Sequence, residues 1–360
     1  MSDKKSLNPK RQLLILVVIA AIGFVLLLIY QRQILEDTWE TLIAADLRYV
    51  ALLPLIQVVN YWFIGTYYRR MFAVFGAQIM LLRSWGVVAA MNFVNQVLPS
   101  GGLSGVTYLA YGFRNKLETG KTTLVQVGRY MFAFGSYAIL APLAFFLVIT
   151  GGRSEDLREL TSTAMDSWAV LAVVVSFLLL MILAFGSFFN PRISHGSGRY
   201  FLRATNWINR NIFRRKNKIE LNFFKQLNRE FHEGADELKK YGLSALKPGI
   251  WMLFSVCMEV MIVFVSLLAV GGDVGVGPVF LAFVAANIVG TISVIPGDVG
   301  VHEATVILVL VAFGVDEPVA ISTTLLYRVF NKFIFLPIGF YFYARILKPA
   351  LEASQKKKNG

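Results

Sequence analysis

Ile295-Pro296-Gly297-Asp298-Val299-Gly300-Val301-His302-Glu303 cuts through an apolar stretch that runs from Pro278 to Phe313. A helix that crosses about 30 Å of hydrocarbon needs roughly 20 apolar residues. At about 1.5 Å per residue, the piece before the cut is about 27 Å long and nearly long enough to cross. A second apolar stretch, Trp85–Phe113, is cut by Pro99-Ser100-Gly101-Gly102 into pieces of about 21 and 15 Å. Proline removes a backbone donor and glycine loosens the chain, so neither helix continues through its cut. Irregular backbone at membrane depth is tolerated only against protein or water. Both stretches therefore read as re-entrant helical hairpins.

The composition places a membrane around them. Hydrophobic residues make up 56% of the 360 and charged residues 16%, against about 25% charged in a soluble domain. This excludes disorder, collagen and coiled coil, and argues strongly against a soluble globule. The single cysteine, Cys257, excludes a disulfide framework and any multi-thiol metal site. Full-length spans are expected at Leu13–Tyr30 and about Tyr49–Tyr68, Thr122–Thr150, Trp168–Phe188, Ile250–Val270 and Val319–Tyr343. Leu13–Tyr30 follows Lys4, Lys5, Lys10 and Arg11, and no small-x-small cleavage site follows it, so it reads as a signal anchor. The expected fold is an all-α polytopic membrane protein with six full transmembrane helices and two re-entrant hairpins. Residues 1–12 form a basic tail, 13–348 a single membrane domain and 349–360 a second tail. Within that domain, 190–248 is a basic amphipathic connector that suits anionic lipid headgroups.

Charge sets the expected sidedness. With the N-terminus cytoplasmic and both hairpins returning to their own side, the outer loops are 31–48, 151–167, 271–277 and 314–318. They hold four bases and eleven acids. The inner side receives Arg69, Arg70, Arg83, Arg114, Lys116, Lys121, the tail and 190–248, which alone holds thirteen bases and five acids. The two cut stretches then enter from opposite sides, and their sequences echo each other. Asn92-Phe93-Val94 precedes the Pro99 cut as Asn287-Ile288-Val289 precedes the Pro296 cut. Arg129 follows Thr122-Thr123-Leu124 as Arg328 follows Thr323-Thr324-Leu325. An inverted repeat with broken helices is the organisation of many alternating-access transporters, whose site lies near the midplane.

Charges in apolar segments locate that site. Arg129, Glu259, Asp298, Glu303, Arg328 and Lys332 all fall there, and facing lipid they would cost on the order of 15–20 kcal/mol together. They are expected to share a polar interior, with Asn92, Asn95 and Gln96 of the first hairpin. Arg328 and Lys332 are four residues apart and share a helix face. The second limb of each hairpin starts near Leu103 or Val301, and a helix start presents unpaired N–H groups and partial positive charge. Beside Arg129, Arg328 and Lys332 this makes an anion site that suits phosphate, with Gly101, Gly102, Pro296, Gly297 and Gly300 at the tips. Glu303, Glu259 and Asp298 read as ion-pair partners or proton carriers. Plainer roles stay open: Asp298 as a helix cap, Glu303 as a first-turn carboxylate, Arg129 as a snorkelling residue, and Arg328–Glu303 or Arg129–Glu259 as structural pairs. His302 beside Glu303 makes no metal motif, and Ser100 and Ser104 have no histidine base near them in sequence.

Three pieces carry a family resemblance. They are Asn92 with Leu98-Pro99-Ser100-Gly101-Gly102-Leu103-Ser104-Gly105, Ile295 through Ala304, and the Arg328 helix that ends in Leu336-Pro337-Ile338-Gly339. Over about residues 10–348 the chain resembles the flippase-like membrane-domain family that includes the membrane half of lysylphosphatidylglycerol synthase. Pro296, Gly297, Gly300, Glu303 and Arg328 match the family pattern, while Asp298 stands where a second tip glycine is expected. The resemblance implies movement of a phosphate-bearing, aminoacylated or glycosylated lipid across a prokaryotic cytoplasmic membrane. The synthase's soluble aminoacyl transferase domain has no counterpart after Lys348, so synthase activity and catalytic residues are not expected. An anionic-headgroup lipid is the expected partner, with lipid-modifying enzymes beside it. No nucleic acid, metal or cofactor is expected, and the oligomeric state is open. A lipid-carrier transferase using Glu303 or Asp298 as base, and a non-transporting scaffold, are the alternative readings.

Overall fold

The computed structural model describes residues 32–97, 109, 112–113, 116–150, 221–292 and 298–345. Regular structure among them is helical throughout. The helices are α1 (Arg32–Ile43), α2 (Leu47–Val74), α3 (Leu81–Val97), α4 (Thr119–Thr150) and α5 (Leu221–Lys240). They continue with α6 (Gly249–Ala269), α7 (Val276–Ile292), α8 (Val301–Ala312) and α9 (Glu317–Arg345), the last containing a π-helical turn at Val329–Phe333. Among the described residues α2, α6 and α9 are long and apolar enough to cross a membrane, close to three of the expected spans. A fourth expected span lies in α4, which is 32 residues long. The expected spans Leu13–Tyr30 and Trp168–Phe188, and both tails, lie outside the described residues.

Lipid-like surroundings explain what the helices leave outside. Leu55 is 60% exposed on α2, Ile139 67% on α4 and Leu308 71% on α8. Apolar surface of that extent is costly in water and costs nothing in a bilayer. Inside, α2 packs along α6. The Asp46 N–H before α2 donates to the Ala269 carbonyl that ends α6, at 2.8 Å, so the two helices run antiparallel. The Asp46 side chain caps α2 by accepting from the Arg48 N–H at 2.8 Å. Charge separates between the two ends of this pair. Asp46 and Asp273 sit with α1 at one end, while Arg69, Arg70, Arg83 and Lys116 surround a depression at the other. At the basic end Lys121 of α4 also pairs with Glu237 of α5 at 2.8 Å.

Three further helices are, over the described residues, shorter than a full span. α7 has 17 residues and α8 has 12, below the roughly 20 a span needs. They pack on each other, and a Cβ at Gly290 of α7 would lie 3.2 Å from the Asp298 carboxylate just before α8, so the chain turns back there. α3 also has 17 residues. Beyond it, Phe113 returns to where α3 began: the Arg83 guanidinium lies 5.2 Å from its ring centroid, and the Phe72 ring 5.0 Å. The tips themselves, with Gly101, Gly102, Pro296 and Gly297, lie outside the described residues.

The π turn in α9 precedes Pro337, which lacks an N–H and whose ring presses on the carbonyl four residues back. Ile334 N–H donates five residues back to the Val329 carbonyl, at 2.8 Å. Side-chain amides serve two of the carbonyls in this turn. Gln57 Nε2 donates to Asn331 O at 2.7 Å and Asn92 Nδ2 to Lys332 O at 2.9 Å. Past the turn α9 lies close on α3. A Cβ at Gly339 would run into the Ala89 carbonyl and sit 2.8 Å from Phe93 Cβ, so only glycine fits the crossing.

Candidate functional site: a charged internal cavity

The polar residues of these apolar helices converge. A cavity of about 450 Å³ is lined by Arg129 from α4, Glu259 from α6, Asn92 and Asn95 from α3, and Arg328 and Lys332 from α9. Asp298, at the turn before α8, lines it too. Residues from separated parts of the sequence therefore share one space, as their cost in lipid requires.

Arg328 is 3% exposed and ion-paired through Nε to Glu303 Oε1. One of its terminal nitrogens donates to the Asp298 carbonyl at 3.2 Å. Glu303 is the third residue of α8, and its other carboxylate oxygen accepts from the Gly300 N–H at 2.7 Å. One carboxylate thus closes the start of α8 and neutralises a buried guanidinium from α9. Gly300 holds the N-cap position at φ 86°, so Asp298 does not cap this helix. Asp298 adopts φ 55°, a left-handed conformation that aspartate tolerates better than most side-chain-bearing residues. Its carboxylate lies instead against the bare backbone of Gly290.

The other charges are arranged differently. Arg129 and Glu259 line the same cavity without forming an ion pair; the Arg129 guanidinium lies 5.9 Å from the Tyr130 ring centroid. Lys332 and Glu259 have no ion-pair partner within 4 Å among the described residues. Three cations and three carboxylates thus gather at the site, with Arg328 and Glu303 committed to one another.

Several lining residues carry no formal charge, so charge in apolar segments does not mark them. Ser255 Oγ donates to Asn60 Oδ1 at 2.7 Å, Asn60 Nδ2 donates to Gln57 Oε1 at 3.0 Å, and Gln57 reaches the π turn. This chain of bonds ties α6 through α2 to α9 beside Lys332. The signal was present in the sequence: Gln57 and Asn60 are three apart inside an apolar span, and Ser255 is four before Glu259. Asn331 could not be read so, because its inward position depends on the π turn. His302, set aside as a metal ligand, lines the cavity with its ring stacked on Tyr327 at 5.5 Å.

The apolar exterior, the short paired helices and the ionised interior define a multi-pass helical membrane protein built around a polar cavity. The chain belongs to the lysylphosphatidylglycerol synthase transmembrane-region family, whose model matches residues 13–339. None of the curated proteins matches the chain. Membership fits a lipid-related role in a membrane.

Proposed function

We propose that this protein is a lipid translocase that moves a phosphate-bearing lipid across the cytoplasmic membrane. The observation that carries the reading is the cavity. Among the described residues Lys332 and Arg129 stand in it with no carboxylate in ion-pair contact, inside helices whose outer faces are apolar. A phosphodiester entering from the membrane finds two cations there, and its acyl chains remain in lipid. Arg328 is less available, because Glu303 holds it. The role is transport rather than catalysis: binding, turning over and releasing the headgroup need only a cavity that opens to alternate sides.

The layout belongs to the same proposal. α3 with the segment reaching Phe113, and α7 with α8, are read as re-entrant hairpins of opposite orientation. With six full spans they form an inverted repeat, both termini lying in the cytoplasm. The return of Phe113 to Arg83, and of Asp298 to Gly290, supports the hairpins. The basic end of the α2–α6 pair supports the orientation.

The test is reconstitution of the full-length protein in liposomes with fluorescent phospholipid, followed by quenching from outside. Wild type is expected to move label between leaflets, and Lys332→Met with Arg129→Met to slow it by at least about tenfold, the loss of roughly 1.4 kcal/mol of recognition. Equal rates for wild type and the double variant would overturn the site, and a wild type no faster than empty liposomes would overturn transport.

A further inference from the structure

We infer that the depression at the basic end is a second lipid site, outside the central cavity, which holds the headgroup of an anionic lipid carrying two phosphates. Arg69 and Arg70 come from α2, Arg83 from α3 and Lys116 from the segment before α4, and together they line about 720 Å³. Two of them are held by uncharged partners. Lys116 Nζ donates to the Gln78 carbonyl at 2.9 Å, and the Arg83 guanidinium lies 5.2 Å from the Phe113 ring centroid. Among the described residues none of the four has a carboxylate within 4 Å. Other bases of the described chain do have one: Glu118 and Glu237 face Lys121, and on α5 Glu233 faces Arg229 and Asp236 faces Lys239. An excess of bases on one side of a membrane accounts for the number of these cations. It does not account for their convergence from three parts of the chain on one depression, where like charges repel. An anion seated there removes the repulsion.

Charge and rim together select the ligand. Guanidinium groups grip phosphate with paired N–H donors, and lysine adds a point charge. A single phosphodiester carries one negative charge and leaves most of the four cations unmatched. Two phosphates on one molecule engage cations of α2 and α3 at once. The rim is apolar: Met80, which lines the depression, is 78% exposed, and Leu82 beside Arg83 is 68% exposed. Apolar side chains left outside at the edge of a membrane protein meet acyl chains. The ligand that fits therefore has phosphates at one end and tails beside Met80 and Leu82, and a soluble anion would gain nothing from that rim. Basic pockets between transmembrane helices bind polyanionic lipid headgroups by this arrangement. The volume lies within the range of small-molecule sites, roughly 300–1,000 Å³. The central cavity differs in kind, because its cations share their space with Glu259, Asp298 and Glu303, whereas no acid lines the depression.

The experiment titrates the full-length protein in detergent micelles with diphosphatidylglycerol, with phosphatidylglycerol of the same acyl chains, and with inorganic diphosphate. Binding is read by thermal stabilisation. Diphosphatidylglycerol is expected to bind at least about tenfold tighter than phosphatidylglycerol at equal phosphate, because its second phosphate engages further cations. Arg70→Gln with Arg83→Gln is expected to bring that ratio toward one. Lys239→Gln with Lys240→Gln removes the same charge from exposed positions of α5 and is expected to keep it. A ratio that survives the first pair of changes, or falls as far with the second, overturns the site. Phosphatidylglycerol that binds as tightly as diphosphatidylglycerol overturns the two-phosphate headgroup, and inorganic diphosphate that does so overturns the lipid. One readout needs only the wild-type protein, whatever the variants do to folding. Bound diphosphatidylglycerol is expected to slow amide exchange over residues 76–83 by at least about threefold, and unchanged exchange there overturns the site. None of these outcomes bears on movement of lipid through the central cavity, so the two proposals stand or fall separately.

Discussion

Glu303→Gln should destabilise the protein more than Arg328→Met, and the double variant should recover most of the loss. Glutamine keeps an oxygen for the Gly300 N–H, 2.7 Å away in the parent. It removes the charge that neutralises Arg328, whose side chain is 3% exposed. Stranding one ion of a buried pair costs about 3–5 kcal/mol. The Glu303 side chain is 19% exposed, so water reaches the pair and the lower end, about 3 kcal/mol, is expected. Arg328→Met strands the carboxylate instead, but Glu303 retains its hydrogen bond and the favourable start of α8. That loss should be about 1–2 kcal/mol. With both replaced no charge is stranded, and the double variant should lie within about 1.5 kcal/mol of wild type. The coupling is then at least about 2.5 kcal/mol. The assay is equilibrium unfolding in mixed micelles followed by tryptophan fluorescence, for which the chain has six tryptophans. Losses that add within about 0.5 kcal/mol would show that Arg328 and Glu303 do not act as a pair and would refute the contact between α9 and the start of α8.

The remaining expectations use other contacts. Gly339→Ala should cost about 1–3 kcal/mol in the same unfolding assay, because the added methyl meets the α3 backbone and the helices must part; an unchanged midpoint would refute the close crossing. Lys332→Met should leave stability unchanged or raise it, since no ion pair of the described residues is broken; a loss above about 2 kcal/mol would mean that the lysine serves as a structural partner. Gln57→Leu should cost about 1–3 kcal/mol and speed amide exchange around the π turn, because it strips the Asn331 carbonyl and Asn60 amide of partners; unchanged exchange there would detach the turn from α2. In a Cys257→Ser background, Gln78→Cys and Gly275→Cys should react with an impermeant maleimide from opposite faces of the membrane, and labelling from one face would overturn the proposed orientation.

How much was legible follows from what each signal measures. Hydropathy alone placed the spans at α2, α6 and α9, since a bilayer rewards long apolar runs wherever they occur. Helix ends were less legible. α2 extends to Val74, beyond the expected Tyr68, because Arg69 and Arg70 at the membrane edge do not interrupt backbone hydrogen bonding. Charge in apolar segments marked Arg129, Glu259, Asp298, Arg328 and Lys332, because an ion in lipid must find polar company. The amides Gln57, Asn60 and Asn331 carry a smaller penalty, so they stood out less.

By itself the sequence determined that this is a membrane-embedded helical protein with broken segments and an ionised interior, because solvent preference is a property of composition and spacing. Which ions pair was left to the tertiary structure. It joined Arg328 to Glu303, kept Lys332 and Glu259 out of ion-pair contact, and used the π turn to set the Asn331 and Lys332 carbonyls against Gln57 and Asn92. Pairing depends on distances of a few ångströms between helices remote in the chain, and no local pattern records them.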